Sequence, residues 1–154
     1  MLKSAINGLR NTKYNMKHIL IFLGLLCFSA QAQSPELTLN ITNIETIKGS
    51  IEIGVFNTAH NYLKEGAAYK NYTIEVTKDT ETIVIKDLPK GEYAISMYHD
   101  ENSDDKCNKN FIGIPKEAYG FSNNVVPKFS APSFEDCKFV FNESQAMAIQ
   151  LRTF

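Results

Sequence analysis

The 154-residue chain has no tryptophan, only three cysteines and three histidines, and no excess of positive charge, with 16 Lys and Arg against 17 Asp and Glu. Each absence narrows the function. Without a basic stripe there is no electrostatic footprint for nucleic acid or anionic lipid. Once the N-terminal segment with His18 is set aside, His60 and His99 remain, too few for a three-histidine zinc site. There is no Gly-x-Ser-x-Gly or Ser-x-x-Lys nucleophile motif, and no glycine-rich phosphate loop. No stretch holds a helical period for three turns, which excludes a bundle.

What is present begins with an unusual N-terminus. Residues 1–32 carry Lys3, Arg10, Lys13 and Lys17 and no acidic residue, then an apolar run from Ile19 to Phe28, then Ala30-Gln31-Ala32. A basic region, a short apolar region and a small-x-small site together predict a secretory signal cut after Ala32, with Met16 a better start than Met1. The run is short for a bilayer span, so no transmembrane segment is expected after cleavage. Leu26 before Cys27 does not fit a lipoprotein signal. The expected products are a signal peptide over 1–32 and a single domain over 33–154, exported to the periplasm or the extracellular space. Processing leaves 12 basic against 17 acidic residues, a mildly acidic domain.

The remaining chain alternates apolar and polar residues. Segments 36–44, 50–57, 72–77, 81–86, 92–98, 136–141 and 145–152 each place one apolar face, as with Leu37, Leu39 and Ile41 in the first. Period-two patterning buries one side of a strand. Seven such strands, separated by Asx, Gly and Pro turns, predict an all-β, seven-stranded antiparallel β-sandwich. From Asp100 to Ser133 the alternation stops, yet Phe111, Tyr119, Phe121 and Phe129 demand packing. An ordered loop of that length is where function concentrates. Cys107 and Cys137, alone after processing, are expected to form a disulfide. A loop of about 30 residues closed this way gives roughly 3.5–4 kcal/mol in the chain-entropy account.

Within the loop, Asp100, Asn102, Asp104 and Asn108 stand at positions 1, 3, 5 and 9 of a calcium-loop spacing, with the Lys106 carbonyl at 7. Hard divalent cations take oxygen ligands, so this set is a candidate calcium site. Against it, position 6 is Asp105 where glycine is usual, and position 12 is Phe111 where a bidentate Glu is needed. Glu101, Asp105, Glu135 or Asp136 would have to compensate. The competing reading is a solvated Asx-rich turn. His99 shares parity with Tyr93, Ile95 and Met97 and points to the core face, so it reads as a structural histidine at the rim of a ligand site. Tyr119, Phe121, Asn123, Asn124 and Phe134 complete the candidate ligand-binding set, for a carbohydrate or protein ligand, although aromatics in such a stripe are more often a small core beneath the loop. No catalytic residue is assigned, and Asn40, Asn71 and Asn142, although in sequons, read as ordinary strand and turn residues.

The run LPKGEYAISMYHDENSDDKCNKNFIGIPKEAYGFSNN, followed by FSAPSFEDCKF, resembles domain-of-unknown-function family 2141 of exported bacterial proteins. The similarity covers the region from the first strand to the last. It implies an immunoglobulin-like or transthyretin-like (prealbumin-like) sandwich with no assigned activity. Two departures stand out: Asp105 and Asn108 replace the family's usual Gly and Asp, and the two cysteines replace other residues. The functional expectation is an exported, non-catalytic binding or structural module acting through the 100–133 loop. A calcium-loop protein with a structural metal is the second, and a hydrolase assembled from carboxylates and His99 the third.

Overall fold

Strand β1 (Leu37–Thr42) buries Leu37, Leu39 and Ile41 and turns Thr38, Asn40 and Thr42 partly outward. The same alternation builds β2 (Ser50–Phe56), β3 (Lys70–Glu75), β4 (Glu81–Ile85), β5 (Gly91–Asp100), β7 (Phe139–Phe141) and β8 (Gln145–Gln150). An eighth strand, β6 (Tyr119–Phe121), falls within the segment read as a loop. The computed structural model describes residues 34–128 and 130–153; the expected signal peptide over 1–32 lies outside the described residues, as does Phe129. Ser34–Phe154 is one compact unit, with the core built among its described residues.

The strands form two sheets, β4-β1-β8 and β3-β2-β5-β6, with β7 also paired to β5. The protein is therefore an all-β sandwich, as the alternation implies, but eight-stranded and not wholly antiparallel. β1 pairs β8 in parallel, Leu39 opposite Met147 and Ile41 opposite Ile149. Periodicity fixes which face of a strand is buried and says nothing about the direction of its neighbour. Between the sheets lie Leu37, Leu39, Ile41, Ile51, Ile53, Ile95, Phe141 and Ile149, all at 2% exposure or less. Each such side chain contributes roughly 1.5–3 kcal/mol when fully withdrawn from water.

The edge beside β5 is built in two pieces. β6 pairs Ser96–Tyr98 and β7 pairs Gly91–Tyr93, so one edge strand is interrupted by an excursion over 122–138. In the gap, the fully buried Ser122 hydroxyl accepts from the Ile95 amide (2.9 Å) and donates to the Cys137 carbonyl (2.5 Å). It replaces the main-chain partner that the broken strand cannot offer. On the other side of β6, Tyr119 and Arg152 exchange two backbone bonds of 2.9 and 2.8 Å, closing one flank of the sandwich. Gly120 makes that approach feasible, since a Cβ there would lie 2.8 Å from Ile149 Cγ2.

The excursion ends in a single helical turn, α1 (Phe134–Cys137), where the alternation predicts the start of a strand over 136–141. Ser133 and Asp136 form a reciprocal capping box that begins the turn. The Ser133 hydroxyl and amide both donate to the Asp136 carboxylate and hold it below its usual range. The turn carries Phe134 and Cys137 onto the outer face of the larger sheet, where they join Phe56, Ala94, Tyr119 and Phe121 in a second apolar cluster. Tyr62 packs edge-on against Phe56 and Phe134, its ring centroid 5.3 and 5.9 Å away. Its buried hydroxyl faces the Cys137 thiol without a well-formed hydrogen bond, and burial, with the thiol second, pushes that phenol up.

Replacing Ser122 by Ala strands a buried amide and a buried carbonyl at once. The expected loss is about 1–3 kcal/mol. Chemical denaturation of the 34–154 domain reads it directly; an unchanged midpoint would mean that the hydroxyl does not bridge the gap.

Candidate binding groove and acidic loop

Because β2 and β5 send Ile53, Val55, Ile95 and Met97 into the core, their intervening residues face outward. Gly54 and Ser96, paired across the two strands, are small and leave a depression. Tyr98, Tyr119 and Phe121 line one part of it and Phe56 another. Loop residues rise around this floor, Leu63 to Gly66, the segment between Asp105 and Pro115, and Pro127, Lys128, Ser130 and Ala131, around a groove of about 990 Å³. Lys64, Lys106, Lys109 and Lys128 line it alongside Glu52, Glu65 and Asp105. The Glu52 carboxylate is engaged by the Ser50 and Thr73 hydroxyls, both at 2.7 Å. Burial, followed by that carboxylate, pushes the Tyr98 phenol up to about 12, so it stays a neutral hydrogen-bonding group at neutral pH.

The acidic loop begins where β5 ends. Asp100 is fully buried; its Oδ1 accepts from the Asp104 amide (3.2 Å) and its Oδ2 from the Asp105 amide (2.7 Å). Ser103 and Asp105 both take the left-handed conformation, φ 56° and 59°. Asp105 thus adopts the backbone that glycine would supply, which Asp tolerates better than most residues. Gly49 passes directly beneath, where a Cβ would sit 2.0 Å from the Asp100 carbonyl oxygen. The Asp104 carboxylate accepts from Asn102 Nδ2 (3.1 Å), Asn108 Nδ2 (3.0 Å) and the Lys106 amide (3.0 Å). These bonds, Asn108 first, hold its carboxyl below the usual range.

Asp100, Asn102, Asp104 and Asn108 are therefore brought together. A fifth residue joins them that the loop spacing did not reveal. Glu117 is buried and accepts from the Asn108 amide (2.9 Å). One carboxylate oxygen from each of Asp100, Asp104 and Glu117 lies within 4.8 Å of the others. The residues expected to compensate for Phe111 are elsewhere. Glu101 pairs with Lys48 (3.4 Å), Glu135 with Lys138 (2.9 Å), and Asp136 caps α1.

The remaining candidate residues take other places. His99 is buried against the core, with Nε2 2.8 Å from the Lys48 carbonyl, on the opposite face of β5 from Tyr98. Tyr119 and Phe121 line the groove, whereas Phe134 lies in the adjoining apolar cluster. Asn123 donates to the Asp136 and Lys138 carbonyls (3.3 and 3.0 Å). Asn124 donates to the Ala148 carbonyl (2.9 Å) and accepts from the Gln150 amide (2.8 Å), imitating a strand partner for β8. Both asparagines have positive φ, 61° and 52°, and hold the excursion in place.

The expected disulfide is not formed: Cys107 and Cys137 are free thiols. Cys137 is locked in the aromatic cluster by α1, while Cys107 is half-buried in the wall of the groove. Counting cysteines could not reveal that the two belong to separate packing environments. Burial raises both thiols above their ordinary range. Unfolding the unreduced 34–154 domain should therefore release two titratable thiols per chain, with Cys107 reacting ahead of Cys137 in the native state. Loss of both from the unfolded, unreduced protein would restore the bridge.

No curated protein and no solved structure matches the chain significantly. Residues 39–150, from within β1 to the end of β8, match the family described as an uncharacterized protein conserved in bacteria, domain-of-unknown-function family 2141, and the chain belongs to that family.

Proposed function

We propose that this protein is an exported, non-catalytic binding module whose ligand, a carbohydrate or a segment of another protein, lies in the groove on the outer face of the larger sheet. The observation that carries the reading is the groove itself: about 990 Å³, with Tyr98, Tyr119 and Phe121 beside the small floor residues Gly54 and Ser96. Aromatic faces and edges with a few polar groups suit sugar rings or an extended peptide. The lysines around it add donors for hydroxyl, carbonyl or carboxylate oxygens. A hydrolytic reading finds less support. His99 is turned to the core, and the Glu52 carboxylate is occupied by two hydroxyls. Export rests on the basic and apolar pattern of residues 1–32 and is part of the proposal.

The reading is tested by titrating isotopically labelled 34–154 domain with a panel of oligosaccharides and extended peptides. Saturable shifts are expected at the amides of Gly54, Ser96, Tyr98 and Lys109. Ser96→Trp, which fills the floor, should weaken binding at least tenfold without lowering the melting temperature. Binding that persists with the floor filled would overturn the reading.

A second reading, a structural calcium in the acidic loop, is favoured by one specific observation. Two of the three clustered carboxylates, Asp100 and Glu117, are buried. Gathering like charges away from water is unfavourable unless a cation or hydrogen-bond donors offset it. The donors are all oxygen, as calcium requires, and rotating the Asn102 and Asn108 amides would present two more oxygens in place of the N–H groups that now face Asp104. Calcium at 100 times its dissociation constant would add roughly 2.7 kcal/mol. The expected result is a higher melting temperature with calcium, abolished by Glu117→Gln and reversed by a chelator. An unchanged melting temperature at millimolar calcium would remove this reading.

A further inference from the structure

One wall of the groove is a short ribbon at the loop end of the sandwich. Asn108 and Lys116 share a backbone bond (2.8 Å), Lys109 bridges Pro115, and Asn110 pairs with Ile114 (2.8 Å). The turn over Asn110–Gly113 is closed by a Gly113-to-Asn110 bond (3.0 Å), and Gly113 takes φ 84°. Asn110 Oδ1 braces it by accepting from the Ile112 and Ile114 amides. This ordered turn holds Phe111 at 99% and Ile112 at 64% exposure. A phenylalanine so fully in water is unusual where the backbone around it is hydrogen-bonded. The chain has committed structure to keeping it in solvent.

The charge of the ribbon is equally distinctive. Between Asp105 and Glu117 there is no acidic residue, but Lys106, Lys109 and Lys116 are all exposed. This basic, apolar-tipped element belongs to an otherwise acidic domain. Of the carboxylates at its base, Glu117 is buried and accepts from the Asn108 amide, while Asp104, exposed, accepts from the Asn102 and Asn108 side chains. Outward, the segment offers two exposed apolar side chains and three exposed lysines. That is the arrangement by which a protein enters the headgroup region of an anionic bilayer: the apolar tip leaves water while lysines meet lipid phosphates.

We propose that the 108–116 ribbon is a membrane-docking element that inserts Phe111 and Ile112 into the interface of an anionic phospholipid bilayer. The inference does not depend on the groove reading. Two ribbons meeting in a symmetric dimer would repel, whereas an anionic bilayer surface complements their lysines.

Flotation of the 34–154 domain with mixed phosphatidylcholine–phosphatidylglycerol vesicles tests it. The domain should float with these vesicles at low salt and not with pure phosphatidylcholine. Phe111→Ser with Ile112→Ser should reduce partitioning about tenfold or more. Each of Lys106→Gln, Lys109→Gln and Lys116→Gln should reduce it about fivefold at low salt, with the loss shrinking as salt rises. All five positions are exposed, so an unchanged melting temperature verifies folding. Ser96→Trp should leave flotation intact, which separates failure of the groove from failure of the ribbon. No flotation with the anionic vesicles, or flotation indifferent to the tip substitutions, would overturn the proposal. So would a concentration-dependent dimer that the tip substitutions abolish, since the tip would then be covered by a second copy.

Discussion

Ser122 stands where the strand beside β5 breaks, and the loop end of the molecule depends on how that break is closed. Its hydroxyl takes the Ile95 amide on one side and reaches the Cys137 carbonyl on the other, fully shielded from water. The next two residues repeat the device in other directions, Asn123 to the chain around α1 and Asn124 to β8. Three consecutive polar side chains thus fasten both ends of a long excursion to three different elements. With its neck pinned, the excursion can lay Phe134 and Cys137 over the outer face of the larger sheet, and a second apolar cluster forms on a face that would otherwise be open to solvent. The groove is the part of that face left uncovered.

The pattern of alternation made most of the strands legible, because burying one face is a property each strand carries alone. Features that depend on a second element were not. β6 has three residues, too few to declare a period, and its one core-facing position is Gly120, chosen for closeness to β8 and not for hydrophobicity. The parallel pairing of β1 with β8 leaves no trace in either strand's period. Cys137, Phe139 and Phe141 share parity, yet α1 intervenes: Cys137 lies in the outer cluster and Phe141 in the inner core. The inferred disulfide failed for the same reason, as loop length and cysteine number carry no information about faces. In the acidic loop, spacing identified the contiguous residues Asp100 to Asn108. Glu117 arrives through the return arm of the ribbon, so only the fold could supply it.

The segment from Asp104 to Lys109 divides its side chains between two environments. Asp104 and Asn108 turn toward the carboxylate cluster, while Asp105, Lys106, Cys107 and Lys109 line the groove. A change in the cluster is therefore a change in the groove wall. Protonating or neutralising Asp104 would release the Asn102 and Asn108 amides and the Lys106 amide together. Backbone already held in left-handed conformations at Ser103 and Asp105 would then lose the bonds that offset its strain. The two sites proposed for this end of the molecule are mechanically joined, although each is tested separately.

Charge separation over a short distance is what makes this end of the sandwich unlike the rest. Glu117 and the exposed Asp104 are tied at the base of the ribbon by amides, and the same segment carries exposed lysines and an uncovered aromatic ring. Hydrogen bonds from Asn102, Asn108 and the loop backbone to Asp104, and from Asn108 to Glu117, fix where those negative charges sit without removing them. The polar loop thereby fixes the feet of the ribbon, and a ribbon built only for packing would not need the exposed Phe111 at its tip.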